Sequence, residues 1–402
     1  MGETRDPMDK KELELYVHIP FCVRKCAYCD FLSFPSEECE RASYVDALLK
    51  EIKGQKDKFK DYVVTTVFLG GGTPSLLRED DTARIFHALK ESFDISRNAE
   101  ITMEVNPGTV TAKKAAAWKA CGVNRLSIGL QSADDEELQM LGRIHTFQEF
   151  LDTWKIVREA GFDNVNIDLI SAIPGQTLES WEKTLRTAAG LAPEHLSAYS
   201  LIIEEGTPFY KMYGEESGTA GAEDASNRQL PLPDEDTERE IYKITEQILN
   251  RYGYHRYEIS NYAKEGYECR HNLGYWERKE YLGLGLGASS LVNEQRFRNT
   301  ADMERYLKLF GTDGSKSGEV YEETEVLSAQ EQMEEFMFLG LRKMKGISGT
   351  EFEKTFGRTL DEVYGDTLDK LQRQGLIERA GDELRLTERG IDVSNYVFAE
   401  FL

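Results

Sequence analysis

The stretch Tyr16-Val-His-Ile-Pro-Phe-Cys22-Val-Arg-Lys-Cys26-Ala-Tyr-Cys29-Asp-Phe31 leads from a β-rich run, Leu15–Ile19, directly into a loop carrying three thiols at CxxxCxxC. The other cysteines, Cys39, Cys121 and Cys269, are scattered. Six cysteines in 402 residues are too few for a disulfide scaffold, and clustered thiols in a reducing compartment point to metal or redox chemistry. Three thiolates can hold three irons of a [4Fe–4S] cluster, whose full set is four ligands, leaving the last iron open to an outside chelator. A zinc site would bring a second half-site, and the sequence has none.

Outward from that loop, strand-like runs alternate with amphipathic stretches. The strand candidates are Leu15–Ile19, Val63–Leu69, Glu100–Val105, Arg125–Gly129, Val165–Ile170 and Leu196–Leu201. Between them lie Tyr44–Lys53, Ala83–Phe93, Ala112–Lys119, Phe147–Ala160 and Leu178–Ala189 at helical spacing. Six such β/α units predict an α/β fold with a parallel sheet and outer helices. The pattern leaves an open sheet and a curled partial barrel as alternatives, and in either case the site belongs at the carboxyl ends of the strands. From Glu204 to Asp236 a Gly-, Ser- and acid-rich stretch reads as a mobile loop, followed by a helix over Glu238–Asn250 and an aromatic strand over Tyr254–Ile259. From Leu327 the pattern is helix, helix, helix and a β-ribbon around Leu376–Leu386, which predicts a winged-helix-like module. The division expected is 1–205, 206–325 and 326–402.

With 72 acidic against 49 basic side chains the formal charge is −23, which disfavours binding to phosphate polymers and argues against nucleic acid as a partner. No apolar run approaches the roughly 18 residues of a membrane helix, and the N-terminal segment has neither a signal core nor a transit-peptide composition. The expectation is a cytoplasmic protein that is not integral to a membrane.

The residues after the strands add to the picture. Gly70-Gly71-Gly72-Thr73-Pro74 follows strand two without the GK[ST] ending of a phosphate loop, Glu104 ends strand three, Gln131 ends strand four and Asp168 lies on strand five. Any one of them alone would read as a turn, cap or polar barrel residue. Together behind a CxxxCxxC loop they resemble the radical S-adenosylmethionine (SAM) superfamily, which implies a partial (β/α)₆ barrel with SAM chelating the open iron. YVHIPFC, EVNP, RLSIGLQS and NIDLI, spread through residues 14–205, are similar to the oxygen-independent coproporphyrinogen III oxidase family. That resemblance carries the cluster onto Cys22, Cys26 and Cys29, and SAM contacts onto Tyr16, Tyr28, Gly71, Gly72, Thr73, Glu104, Gln131, Arg143, Asp168 and Ile202. In it, Tyr28 covers the adenine and the planar guanidinium of Arg143 meets the SAM carboxylate.

Two departures set the chain apart from the oxidases. Phe31 stands where they carry a further cysteine, and only about fourteen residues precede the first strand instead of a substantial arm. Both match the heme-chaperone branch of the family, whose HNxxYW mark is present as His271-Asn272-Leu-Gly-Tyr275-Trp276. Imidazole is a common axial ligand to heme iron, so the resemblance makes His271 the candidate heme contact. The glycine-rich Gly283–Gly287 segment then lets backbone pass close to the site. Heme and heme-acceptor proteins, among them membrane-bound respiratory proteins, are the implied partners. Oxidative decarboxylation of coproporphyrinogen III and SAM-dependent heme methylation remain the enzymatic alternatives, and whether SAM is turned over stays open.

Overall fold

The computed structural model describes residues 10–214, 230–311 and 317–402. Much of the acidic stretch read as a mobile loop lies outside the described residues. Six parallel strands stand side by side in chain order: Lys11–Ile19, Tyr62–Gly71, Ile95–Val105, Arg125–Gln131, Val165–Ser171 and His195–Ser200. Helices Glu38–Gly54, Glu79–Ser92, Ala112–Cys121, Phe147–Glu159 and Leu178–Gly190 connect them, and Glu235–Arg251 follows the sixth. The sheet is open at both ends of its strand order, as a partial barrel requires. Local chemistry sets the helix starts: Thr146 and Thr177 accept hydrogen bonds from the backbone N–H groups of Glu149 and Ser180, satisfying donors that have no partner within the helix.

Among the described residues of 206–325, many join the barrel's core, Ile241, Leu282 and Tyr306 among them, beside a small cluster of their own around Tyr257, Ala263 and Cys269. Tyr281–Leu284, within the glycine-rich segment, is a seventh parallel strand on the free edge of the first, with Gly283 opposite Tyr16. Strands Ser289–Val292, Gln295–Asn299 and Tyr321–Val326 continue that edge antiparallel, while Asn261–Ala263 and His255–Arg256 extend the other. The segment expected to pass the site therefore packs beside it. Gly285 lies at φ +96°, its N–H donating to buried Glu51 at 2.8 Å, and an added Cβ there would meet the Tyr44 hydroxyl. The C-terminal region keeps a second apolar core, from Met333 to Phe401. It has the expected three helices, Ala329–Gly340, Gly349–Phe356 and Leu360–Arg373, and the ribbon gains a third strand because Ile347–Ser348 pairs with Glu383–Leu384.

The period of two along each strand divides its residues between two environments. Leu13, Leu15, Val17 and Ile19 are buried in the apolar layer, while Glu14, Tyr16 and His18 take part in polar contacts within the barrel. The lower layer of this interior is a plug. The carboxylate of Glu100 accepts from the backbone N–H groups of Arg270 and His271, both at 3.1 Å, and so caps the helix Arg270–Trp276. Gly274 of that helix has no room for a side chain, since an added Cβ would lie 2.0 Å from Glu14 Oε1. On the far side, His195 bridges Asn166 Oδ1 at 2.7 Å and the Tyr257 hydroxyl at 2.8 Å.

Glu14 and His271 approach to 3.7 Å, yet they are not an ion pair at neutral pH. Burial pushes the Glu14 carboxyl up to about 9 and the His271 imidazole down to about 3, so both are neutral. A carboxyl whose folded pKa is raised stabilises the fold below its unfolded pKa of about 4.5 and loses that contribution as pH rises toward about 9. Glu14→Gln is accordingly expected to raise the unfolding midpoint at pH 8 and to leave it nearly unchanged at pH 4. Thermal melts at both values test this, and a lower midpoint at pH 8 would count against a neutral Glu14.

Candidate functional site

The thiol loop is anchored along its length. Phe21–Cys22 pairs with Phe34–Pro35 to close it, and Ala27 donates its N–H to the Leu141 carbonyl at 3.1 Å while its own carbonyl accepts from Phe209 at 3.0 Å. Arg24 Nη2 donates to the Gly142 carbonyl at 2.7 Å, and His18 Nε2 lies 2.8 Å from the Leu32 carbonyl. The Gly70–Pro74 turn is joined to it backbone to backbone: Gly72 N–H donates to Ile19 O at 2.8 Å and Thr73 N–H to Phe21 O at 2.7 Å.

The glycines there are explained by the protein itself. An added Cβ would lie 2.9 Å from Glu104 Oε2 at Gly70, 2.3 Å from the His18 ring at Gly71 and 2.7 Å from the Phe21 backbone at Gly72. Only Gly71, at φ +108°, also needs the left-handed conformation.

Above this turn, at the carboxyl ends of the strands, lies a cavity of about 550 Å³. Its wall includes all three clustered cysteines together with Tyr28, Gly71, Gly72, Thr73, Glu104, Gln131, Arg143, Asp168 and Ile202. Residues from a loop and five strand ends thus converge as the sequence reading expected. Tyr16 does not line the wall: its hydroxyl lies 3.0 Å from His18 Nδ1, so it reaches the thiol loop only through that histidine.

The charged groups of the cavity are held by specific partners. Glu104 Oε2 accepts from Gly71 N–H at 3.0 Å, and burial together with the nearby Asp168 carboxylate pushes its carboxyl up to about 7. Burial also raises Asp168, opposed by donors from Ser127 at 2.9 Å and Asn166 at 2.7 Å. Arg143 is fixed by the Gly129 carbonyl at 2.8 Å and Asn106 Oδ1 at 2.7 Å. Gln131 sits at φ +72°, a costly position for a non-glycine residue, where the fourth strand turns into the site.

The donor set suits an iron–sulfur cluster. Cys22 Sγ receives the Thr73 hydroxyl at 3.5 Å and Cys26 Sγ receives Arg143 Nη1 at 3.7 Å, the outer-shell hydrogen bonds that tune a cluster's potential. Among the described residues no three His, Cys, Asp or Glu side chains converge as ligands of a single ion would.

A heme bound through His271 does not fit this arrangement. The ring is 1% exposed, with Nδ1 2.7 Å from the Thr66 hydroxyl, Nε2 3.0 Å from the Tyr275 hydroxyl and its face stacked on Phe68. Neither nitrogen is available to iron, and the residue lies in the barrel plug instead of on the cavity wall.

A cysteine loop after the first strand and a cavity at the carboxyl ends of a partial barrel, with charged side chains in its wall, define the radical SAM class of protein. The Radical SAM superfamily model matches residues 16–188 and the HemN C-terminal domain model residues 327–393. The heme chaperone HemW of Bacillus subtilis (strain 168) is 37% identical over 96% of this chain and 98% of its own. The HemW of Escherichia coli (strain K12) is 36% identical over 97% and 98%. Among solved structures, coproporphyrinogen III oxidase (HemN) from Escherichia coli shares the fold, with a TM-score of 0.83 at 23% identity over 98% of this chain and 90% of that one. The chain belongs to the heme chaperone HemW family.

Asn106, Glu100 and Glu14 escaped the sequence reading. Asn106 adjoins Glu104 in EVNP and carried a signal of proximity, whereas Glu100 and Glu14 revealed nothing until the chain folded. Gly72→Ala would drive a methyl into the Phe21 backbone, a strain of about 1–3 kcal/mol placed directly on the thiol loop. Anaerobic reconstitution should then load much less iron and sulfide than wild type, whereas Gly365→Ala, in the helix Leu360–Arg373 with no atom within 4 Å of the added methyl, should load normally.

Proposed function

We propose that this protein is a heme chaperone, taking up heme and handing it to acceptor proteins, membrane-bound respiratory proteins among them. In this reading a [4Fe–4S] cluster sits on Cys22, Cys26 and Cys29, and SAM completes it. The observation that carries it is similarity over nearly the whole length to proteins named heme chaperone HemW, at 34–37% identity. Phe31, 70% exposed on the cavity rim where the oxidase pattern has cysteine, supports the same branch. No helix among the described residues is long and apolar enough to cross a membrane, and a reduced thiol cluster suits the cytoplasm.

The chain's own groups divide the work of holding SAM. Gly71, Gly72 and Thr73 offer backbone at the thiol loop. Glu104, able to hold or release a proton near neutral pH, faces the amino group, and Arg143 supplies positive charge for the carboxylate. Gln131 and Asp168 offer hydrogen bonds from strands four and five, Tyr28 covers the adenine, Ile202 closes the rim, and Tyr16 steadies the loop through His18. A cluster bound there supplies one-electron chemistry at its open iron. Because His271 is enclosed, heme is not assigned to its ring as it stands in this fold.

An anaerobic heme titration of cluster-reconstituted protein should saturate at a defined stoichiometry, and the loaded protein should pass heme to an apo-acceptor. Supplied with coproporphyrinogen III, SAM and a reductant, it should release no CO₂. Unsaturable heme binding, or mass-spectrometric loss of two CO₂, would overturn the chaperone reading in favour of the oxidase. Separately, Cys22→Ala, Cys26→Ala and Cys29→Ala should each abolish the iron–sulfur absorbance of reconstituted protein, and normal spectra in all three would remove the cluster assignment.

A further inference from the structure

Asn106 lies on the cavity wall between the two side chains that reach the cluster sulfurs. Its Oδ1 accepts from Arg143 Nη2 at 2.7 Å and its Nδ2 donates to Thr73 Oγ1 at 2.7 Å. The orientation of the amide follows from chemistry. A guanidinium has only donors, so the amide must turn its oxygen toward Arg143. Its N–H then faces Thr73, whose hydroxyl oxygen must accept. A hydroxyl has a single proton, and with its oxygen accepting from Asn106 that proton is left free to point at Cys22 Sγ, 3.5 Å away. The other arm of Arg143 reaches Cys26 Sγ at 3.7 Å. The backbone fixes Asn106 in turn: its N–H donates to Ser75 Oγ at 3.1 Å, and its carbonyl accepts from the Thr109 hydroxyl at 2.7 Å.

We infer that Asn106 is a positioning residue that sets the direction of a hydrogen-bond chain running Cys26–Arg143–Asn106–Thr73–Cys22, so that the sulfurs of Cys22 and Cys26 each face a donor. The inference rests on reading Cys22, Cys26 and Cys29 as cluster ligands. Its specific consequence concerns polarity. Aspartate has the shape of asparagine but no N–H, so Asn106→Asp would accept the Thr73 proton and turn it away from Cys22, while the bond from Arg143 to Cys26 remains. Thr73→Val removes the same donor without touching Asn106, and Thr73→Ser keeps it.

The test is spectroelectrochemical titration of the reconstituted cluster in wild type, Asn106→Asp, Thr73→Val, Thr73→Ser and the Asn106→Asp/Thr73→Val double variant, with thermal melts to confirm folding. Hydrogen bonds to cluster sulfur favour the reduced, more negative form. Asn106→Asp and Thr73→Val should each lower the reduced-to-oxidised ratio at a fixed potential about tenfold, about 59 mV for a one-electron couple. Thr73→Ser should match wild type. In the double variant the aspartate should add nothing to the Thr73→Val shift, because its effect passes through the hydroxyl. Additive shifts would mean that the new negative charge acts through space, and an unshifted Thr73→Val would mean that no donor reaches Cys22. Either result overturns the inference. Failure of wild type to take up any cluster would instead strike the ligand reading on which it rests.

Discussion

The site depends on one close approach of backbone to backbone. Where the second strand ends, Gly72 and Thr73 donate their N–H groups to the carbonyls of Ile19 and Phe21, so the turn after strand two is hydrogen-bonded to the start of the thiol loop. That contact leaves no space for a Cβ at Gly72 and puts the Gly71 hydrogen against the His18 ring. Three cysteines in a loop of this kind would otherwise sample many arrangements, and ordering a loop costs roughly 1–2 kcal/mol per residue in backbone entropy. The glycine turn, the Ala27 and Arg24 contacts and the His18 bond to Leu32 offset that cost before any ligand arrives.

The barrel interior is polar but is not uniform along its axis. Near the carboxyl ends of the strands Glu104, Gln131, Arg143 and Asp168 surround open space. Deeper down, Glu14, Glu100, Asn166 and His195 meet the helix Arg270–Trp276 and its neighbours, and that space is filled. Burial without full hydrogen bonding explains why Glu14 holds its proton near neutral pH, since ionising it would require a partner that the plug does not provide. The HNxxYW motif thus occupies a position where its histidine bonds both to its tyrosine and to Thr66 of the sheet. Any role for His271 at heme iron would require this helix to leave the barrel.

How far the sequence could be read differed between these regions. Strand ends were legible because a parallel β/α alternation places every carboxyl end on one face, and the resemblance to the radical SAM superfamily picked out Glu104, Gln131 and Asp168 on that face. Tyr16 belonged to the same motif yet faces His18 below the cavity, because its position along the first strand puts it one layer deeper than the loop. The glycine-rich segment carried a signal for close approach, and close approach is what it makes, but to Tyr44 of the first helix and His18 of the first strand and not to the cavity. Asn106 could not be assigned because its importance comes from which side chains stand on either side of it.

The sequence by itself determined the repeating units, the thiol spacing and the face on which the site is built, because periodicity and covalent spacing are local properties of the chain. Only the tertiary structure decided which polar residues face open space and which are enclosed. Glu104 and Glu14 are both acids on inward-facing strand positions, one near the carboxyl end of its strand and one near the amino end, and nothing along the chain says that the amino end is filled. What separates them is the helix that returns from residue 270 to fill one end of the barrel, a contact between segments more than 250 residues apart.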